Sequence, residues 1–261
     1  MDLFSAIVLG ILQGITEWLP ISSSAMVTLF GKLIFNFDYS DALGTALWLH
    51  CGTTLAAVIY FRQDILNILK SVYNKDKENK QIFIFLLITT IFSFIIAGIL
   101  SMFLFSIQIP DSIFTLGIGF FLLIIAFLHK NRKESEIKEK VTDIKAIIVG
   151  FFQGISVLPG ISRSGITIAV LLYEKFSLKD SFRLSFLMSI PVTFGASLLI
   201  PVIKEGFIID EYLILSGIIA FITGLLTIKI LMDFAEKVNF YKATLFLGLF
   251  VLLFGVLQLL I

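Results

Sequence analysis

The sequence predicts an all-α polytopic membrane protein, built as an inverted-topology repeat with six transmembrane helices and two re-entrant helical hairpins. Three observations predict this fold class. Hydrophobic residues make up 58% of the 261 residues and charged residues only 15%, whereas soluble domains carry about 25% charged residues. Apolar runs of membrane-spanning length recur along the chain, and residues 6–25 reappear in altered form at residues 146–165.

The repeated segment reads AIVLGILQGITEWLPISSSA in its first copy and AIIVGFFQGISVLPGISRSG in its second. Apolar composition alone does not reproduce the shared Gln-Gly pair, glycines and serines. In an apolar chain, such interrupted segments in corresponding positions indicate where a membrane protein builds its site. The copies differ where chemistry is expected, because Glu17 aligns with Val157 and Ser23 aligns with Arg163.

The individual elements follow from segment length. A spanning helix needs about 20 apolar residues, and the segments that qualify are residues 42–61, 81–105, 112–128, 181–203, 212–232 and 243–261. The segments too short to cross a core of about 30 Å are residues 3–16, 22–35, 141–156 and 162–173. Pro-containing breaks at residues 17–21 and 157–161 join them in pairs. We therefore expect two hairpins that turn back near mid-membrane, where the freed backbone is buried or lines a cavity.

The distribution of Lys and Arg predicts orientation. These residues concentrate at residues 62–80 and 130–145, which the positive-inside rule assigns to the cytoplasm. Both termini are then outside, and the first hairpin enters from the outer face and the second from the cytoplasmic face. Three spans separate the hairpins, so the halves, about 1–128 and 141–261, are inverted. They form a single integral membrane domain with a charged linker at residues 129–140, which is not a nucleic-acid site.

Glu17 is the first candidate for chemistry. It lies near the apex of the first hairpin, and an intramembrane ionisable residue indicates function unless a salt bridge there serves only architecture. Gln13 lies one helical turn earlier on the same face. The one cysteine, Cys51, excludes an intramolecular disulfide.

A serine-rich helix start follows each break. Capping is an equally good explanation for Ser22 and Ser162, but helix N-termini also attract anions. Arg163 adds a planar cation suited to bidentate phosphate binding, and Ser23 beside Glu17 has the composition of a nucleophile and its base. These residues indicate a phosphate site, and they leave hydrolysis open.

Two longer motifs carry a family resemblance. The segments QGITEWLPISSS, from Gln13 to Ser24, and PGISRSGIT, from Pro159 to Thr167, resemble the two signatures of the undecaprenyl-diphosphate phosphatase family, also called the bacitracin-resistance family. The resemblance covers essentially the whole chain. It implies removal of the terminal phosphate from a polyprenyl diphosphate at the outer face of the cell membrane, which regenerates the monophosphate carrier for cell-envelope glycan synthesis.

The resemblance also implies roles for individual residues. The expected catalytic residues are Glu17, Ser23 and Arg163. The expected diphosphate-binding residues are Gln13, Ser22, Ser24, Ser162, Ser164, Gly165 and Thr167. A divalent cation, Mg²⁺ or Ca²⁺, is implied, with Glu17 as its candidate ligand. The implied partners are the lipid substrate and membrane lipids, with a homodimer as one option.

Met26 departs from the family pattern, which usually has a histidine at this position. Methionine cannot act as nucleophile or base, so the departure favours a catalytically inactive, lipid-binding homologue as one alternative. The main alternative is a transporter or flippase of polyprenyl phosphate, which would use the same inverted repeat and anion site. His50, inside a predicted span, is expected to be structural, and His129 is expected at a cytoplasmic helix end.

Overall fold

The computed structural model describes residues 1–74, 76–102, 111–128, 130, 140–158, 161–198 and 206–260. Within these ranges all regular secondary structure is helical, which confirms the all-α prediction. The helices formed by the described residues are α1 Leu3–Thr16, α2 Ser23–Leu33, α3 Tyr39–Tyr60, α4 Arg62–Lys70, α5 Lys77–Ser101, α6 Asp111–Leu128, α7 Asp143–Ile155, α8 Arg163–Tyr173, α9 Leu178–Ser197, α10 Glu211–Lys237 and α11 Phe240–Leu260.

Several of these helices are long and apolar enough to cross a membrane, so the protein is a multi-pass membrane protein. Among the described residues, α3, α5, α10 and most of α11 meet both conditions. Helix α6 has 18 residues, of which a shorter stretch is strongly apolar. Helix α9 has 20 residues but begins with charged side chains, including Lys179 and Asp180.

One part of the chain differs from its prediction. Residues 62–80 were predicted as a charged loop, but residues Arg62–Lys70 form helix α4. The apolar residues of this short helix recur at helical spacing, and Ile68 is buried, so one face packs while the charges stay in solvent. The predicted linker 129–140, apart from Lys130 and Lys140, lies outside the described residues, as do His129 and residues 159–160.

The two halves pack through equivalent helices. Helix α1 of the first half packs on α10 of the second, and α7 packs on α5 in return; α6 packs on α11. Glycines permit the close approach in both crossed pairs. A β-carbon at Gly10 would lie 2.6 Å from the Ser216 carbonyl oxygen, and one at Gly150 would lie 2.8 Å from that of Thr89. Gly10 and Gly150 of the repeat, each followed four residues later by another glycine, therefore lie at helix contacts.

Helices α3 and α9 meet at the centre of this arrangement. Their N-cap residues are Asp38 and Ser177, and Thr54 and Thr193 each lie about 24 Å further along their own helix, at the same position. The two hydroxyl groups hydrogen-bond each other at 2.7 Å, with both side chains buried. The contact therefore joins the two halves of the chain through residues at equivalent positions along their helices.

The largest apolar core lies behind the first break and fixes its position. Trp18, within the break, is 1% exposed and packs edge-on against Phe186 of α9, with ring centroids 5.0 Å apart. Phe182 stacks on the other side of Phe186 at 5.7 Å. A large aromatic side chain buried this way holds the break rigidly against α9, and Glu17 directly precedes it.

Candidate active site

Glu17 lies at the centre of the candidate site, as the C-cap residue of α1. Its side chain is 4% exposed. Oε2 accepts a hydrogen bond from the Ser23 hydroxyl at 2.7 Å and another from the Gln13 side-chain amide at 3.0 Å. Oε1 accepts from Arg163 Nη2 at 2.6 Å. One carboxylate therefore joins both hairpins, and a buried charge of this kind is stable only with such partners.

Arg163 reaches Glu17 from the N-terminal end of α8, and its side chain is 10% exposed. Nη1 donates to the Ser185 carbonyl oxygen on α9 at 3.2 Å. Nε is buried and has no hydrogen-bond partner among the described residues. Since a guanidinium group can donate five hydrogen bonds in a fixed plane, Arg163 keeps donor capacity for a ligand while two contacts fix its orientation.

The two helix starts meet because their breaks contact each other. The Ser164 hydroxyl donates to the Leu19 carbonyl oxygen at 2.6 Å, and a β-carbon at Gly165 would lie 3.2 Å from Pro20 Cα. Ser22 and Ser162 both cap their helices, accepting from the backbone N–H three residues on, at 3.4 and 3.1 Å. The convergence predicted from the repeat is present, and so is the capping explanation for these two serines.

A cavity of about 860 Å³ contains this convergence. Of the predicted site residues, its wall includes Glu17, Ser22, Ser23, Ser24, Ser162, Arg163 and Ser164. Gln13 and Thr167 lie behind the wall. Gln13 hydrogen-bonds Glu17, which itself lines the cavity. The Thr167 hydroxyl hydrogen-bonds the Arg163 carbonyl oxygen at 2.8 Å and the Ser185 hydroxyl at 2.7 Å. Gly165 also lies behind the wall, against Pro20.

His50 is a site residue that sequence reasoning assigned to structure. It lies on α3, lines the cavity, and places Nε2 3.4 Å from Glu17 Oε2. Nδ1 lies 2.7 Å from the Ala46 carbonyl oxygen, and because a carbonyl oxygen only accepts, Nδ1 carries the proton. The one available signal was a histidine within an otherwise apolar predicted span. Met26 also lines the cavity, so the departure from the family pattern faces the site.

The site offers little to a metal ion bound by protein alone. The described residues contain no cluster of three or more His, Cys, Asp or Glu side chains that could hold one. Glu17 is the only carboxylate in the cavity wall as described, and both of its oxygens already accept hydrogen bonds. Mg²⁺ is often held by one or two carboxylates together with substrate phosphates and water, so these residues fit a cation that arrives with a phosphorylated substrate.

Comparison with known proteins supports the family. A family model described as bacitracin resistance protein BacA matches residues 6–257, nearly the whole chain. This chain belongs to the BacA family. The resemblance inferred from the two motifs is thereby confirmed, and both motifs fall within the matched range.

Relatives of this BacA-family chain occur in archaea and bacteria. A protein named undecaprenyl-diphosphatase from Methanococcoides burtonii is 37% identical over 249 residues, covering 92% of this chain and 93% of the relative. One of the same name from Thermosipho africanus is 37% identical and covers 86% and 88%. Undecaprenyl-diphosphatase 2 from Halalkalibacterium halodurans is 35% identical and covers 91% and 89%.

Proposed function

We propose that this protein is an undecaprenyl-diphosphate phosphatase, which removes the terminal phosphate of a polyprenyl diphosphate and leaves the lipid monophosphate. One observation carries the proposal: the Glu17 carboxylate hydrogen-bonds the Ser23 hydroxyl of its own hairpin and the Arg163 guanidinium of the other. An acid, a hydroxyl and a planar cation around two helix N-termini form a phosphate-transfer site. The names of the relatives support the substrate class.

Substrate binding is proposed to use the groups that surround Glu17. Arg163 binds the terminal phosphate through guanidinium donors that it does not use on Glu17 and Ser185, and it neutralises charge that develops during transfer. The N-terminal N–H groups of α2 and α8 have no partners within their helices and favour an anion. Hydroxyl groups of Ser24, Ser162 and Ser164 complete the wall around the phosphate oxygens.

Ser23 is proposed to be the nucleophile and Glu17 its base. Ser23 Oγ forms a bond to the terminal phosphorus, and its proton passes to Glu17 Oε2, 2.7 Å away. The bond from this phosphorus to the bridging oxygen breaks, and its electron pair leaves on the lipid monophosphate. Water then attacks the phosphoserine, releasing inorganic phosphate and returning a proton to Ser23. In this scheme neither step requires Met26.

A divalent cation, Mg²⁺ or Ca²⁺, is part of the proposal. Glu17 is the protein ligand we assign to it, with the remaining ligands supplied by phosphate oxygens and water. Such an ion would offset the charge of the diphosphate group. The absence of a carboxylate cluster among the described residues agrees with a cation carried in by the substrate.

The membrane arrangement is proposed to be six spanning helices, α3, α5, α6, α9, α10 and α11, with α1–α2 and α7–α8 as re-entrant hairpins. The short helices support this, since α1 with 14 residues reaches only about 21 Å. Lys and Arg at residues 62–80 support a cytoplasmic position there and both termini outside. The cavity wall extends to Lys32 and Tyr39, next to the outer loop in this topology. A homodimer is compatible, because each chain carries a complete site.

The test is phosphate release from undecaprenyl diphosphate by the purified protein, with and without Mg²⁺ or Ca²⁺. We expect turnover to lipid monophosphate and inorganic phosphate, with the cation required. Leaflet exchange of a labelled polyprenyl phosphate in liposomes is measured on the same preparation. Exchange without phosphate release would contradict the proposal in favour of a flippase, and binding without release would favour an inactive homologue.

A further inference from the structure

The cavity is larger than a diphosphate group needs. Its volume of about 860 Å³ is near the upper end of the roughly 300–1,000 Å³ seen for pockets that hold mostly apolar ligands. Away from Glu17 its wall becomes apolar: helix α5 contributes Phe94, Ala97 and Gly98, and α9 contributes Val192, Gly195 and Ala196. The space beyond the polar site therefore suits hydrocarbon.

Along α5 the cavity wall passes from the polar Ser93 to an apolar stretch of Phe94, Ala97 and Gly98, which ends at Ser101. The Gln153 side-chain amide donates to Ser93 Oγ at 2.9 Å. Gln153 lines the cavity and is 1% exposed, and its Oε1 has no hydrogen-bond partner among the described residues. Ser93 and Gln153 are therefore the polar pair next to the apolar stretch of α5. Phe94 begins the apolar wall one residue after Ser93.

On α5 the cavity wall includes Phe94 and Gly98, which are also exposed at the surface of the helix bundle. We call the space between Phe94, Gly98, Gly195 and Ala196 the α5–α9 gap. A β-carbon at Gly195 would touch the Phe94 ring at 3.0 Å, whereas one at Gly98 would have no atom of the described residues within 4 Å. Phe94 lines the cavity and yet is 48% exposed on a helix long and apolar enough to span the membrane. The Phe94 ring therefore lies at the cavity, at the exposed surface of α5 and against Gly195 of α9.

The equivalent space in the other half is closed. A β-carbon at Gly52 of α3 would lie 2.3 Å from the Gly217 carbonyl oxygen of α10, so the two backbones are in direct contact. The Trp48 indole N–H also donates to the Leu213 carbonyl oxygen at 2.9 Å. Counted from the N-caps, Gly195 of α9 corresponds to Ala56 of α3, and a β-carbon at Gly224 of α10 would lie 3.4 Å from Ala56 Cβ, an ordinary packing contact. Helices α3 and α10 are therefore in direct backbone contact, whereas helices α5 and α9 are bridged by the Phe94 ring.

We propose that the polyprenyl chain of the substrate leaves the cavity sideways through the α5–α9 gap, with the Phe94 ring as its movable cover. The inference rests on the proposed function, since the diphosphate group is taken to bind at Glu17, Ser23 and Arg163. The gap connects that site to the membrane interior, so the hydrocarbon chain stays in lipid while the head group reacts. Gly98 is the specificity-determining position, because any side chain there enters the gap.

Gly98→Leu tests the gap, since none of the described residues has an atom within 4 Å of a β-carbon at this position. The measurement is kcat/KM for undecaprenyl diphosphate and for geranyl diphosphate, whose two isoprene units are the short probe. We expect the long substrate to lose at least about tenfold relative to the short one, the scale for adding an apolar group to a pocket. Equal loss for both substrates, or no loss for either, would overturn the proposal.

Gly117→Leu on α6 is the matched control. Within the part of the chain that the structure describes, a β-carbon at Gly117 also meets no atom within 4 Å, and this exposed glycine is absent from the cavity wall. We expect the ratio of the two kcat/KM values to equal that of the wild type. If both variants changed the ratio equally, the effect would come from the membrane-facing surface. That result would contradict the proposed path of the polyprenyl chain through the gap.

A binding measurement separates this inference from the proposed function. Gly98→Cys and Gly117→Cys are made with Cys51→Ala, which removes the native thiol, and alkylation by a maleimide is timed. We expect undecaprenyl phosphate to slow alkylation at position 98 only, and inorganic phosphate to slow neither. Absence of that protection would contradict the proposal that the polyprenyl chain passes through the gap. If the wild type releases no phosphate from either substrate, the proposed function fails. The protection experiment still shows whether a polyprenyl chain occupies the gap.

Discussion

The two hairpins have the same helix–break–helix arrangement, but equivalent residues in them make different contacts. Ser22 and Ser162 cap the second helix of each hairpin in the same way. The equivalent glutamines diverge, because Gln13 donates to Glu17 at 3.0 Å and Gln153 donates to Ser93 at 2.9 Å. The difference shows that the repeated architecture positions the side chains. Residue differences between the copies provide the acid and the hydroxyl in the first hairpin and the cation in the second.

Arg163→Ala should have the largest effect, because it breaks the link between the hairpins. Removing one partner of a buried ion pair costs about 3–5 kcal/mol of stability, and losing a donor to the developing charge lowers kcat about 10²- to 10³-fold or more. Phosphate release and thermal unfolding in detergent measure the two effects. The double variant Glu17→Gln/Arg163→Ala should regain part of the stability and none of the activity. A single variant with near wild-type turnover would disprove the division between the hairpins.

Ser23→Ala should come next and should act on turnover alone. Loss of the hydroxyl that Glu17 accepts from lowers kcat by about 10²–10⁴ with a small change in KM and in unfolding temperature. Ser24→Ala is the control, since Ser24 lines the same cavity and is next in sequence without a hydrogen bond to Glu17. Equal losses for both serines would assign them a shared binding role and reject Ser23 as the nucleophile.

Gly14→Ala and Gly154→Ala test the shared scaffold. A β-carbon would lie 1.8 Å from Thr223 Oγ1 at the first position and 2.6 Å from Ile96 Cβ at the second. Both variants should lose about 1–3 kcal/mol of stability from overpacking, measured by unfolding. Gly117→Ala, in open space, should be neutral or slightly stabilising. A scaffold that tolerates both alanines would not depend on these close approaches.

Ser22→Ala and Ser162→Ala should have the smallest effects, and these should be alike. Each variant removes a helix cap, which is worth about 1 kcal/mol. Unfolding measurements on the two variants compare the hairpins directly, and phosphate release shows any further role. A clear excess loss of activity in one variant would show that its hydroxyl binds the substrate as well as the helix.

Much of the site follows from local sequence. The unequal copies of the repeat predicted that Glu17 and Ser23 would face Arg163, because a pseudo-symmetric fold brings equivalent segments together. The family prediction drew on the same residues and was confirmed. The helix bounds also followed from apolar run length and serine caps, as α8, predicted at residues 162–173 and observed at Arg163–Tyr173, illustrates.

The remainder depends on packing between distant segments. His50 lies on α3, which is buried on most sides, so apolar periodicity gives no indication of which face meets Glu17. The α5–α9 gap depends on what lies next to Gly98 and Gly195 on other helices, and neither glycine reveals its neighbours in sequence. Helix α4 was missed because its short apolar stripe, including Ile65 and Ile68, lies among charges.

The hydrogen bond between Thr54 and Thr193 has a consequence for the origin of the chain. A hydroxyl group both donates and accepts, so a threonine can bond to its own symmetry mate, which a carboxylate or an ammonium group cannot do. The contact is therefore one that two separate half-length chains, paired about a twofold axis, would already have made. Fusion of two such chains would have left this bond in place. Residues away from the axis would then have been free to diverge, which gives a glutamate in one half and an arginine in the other.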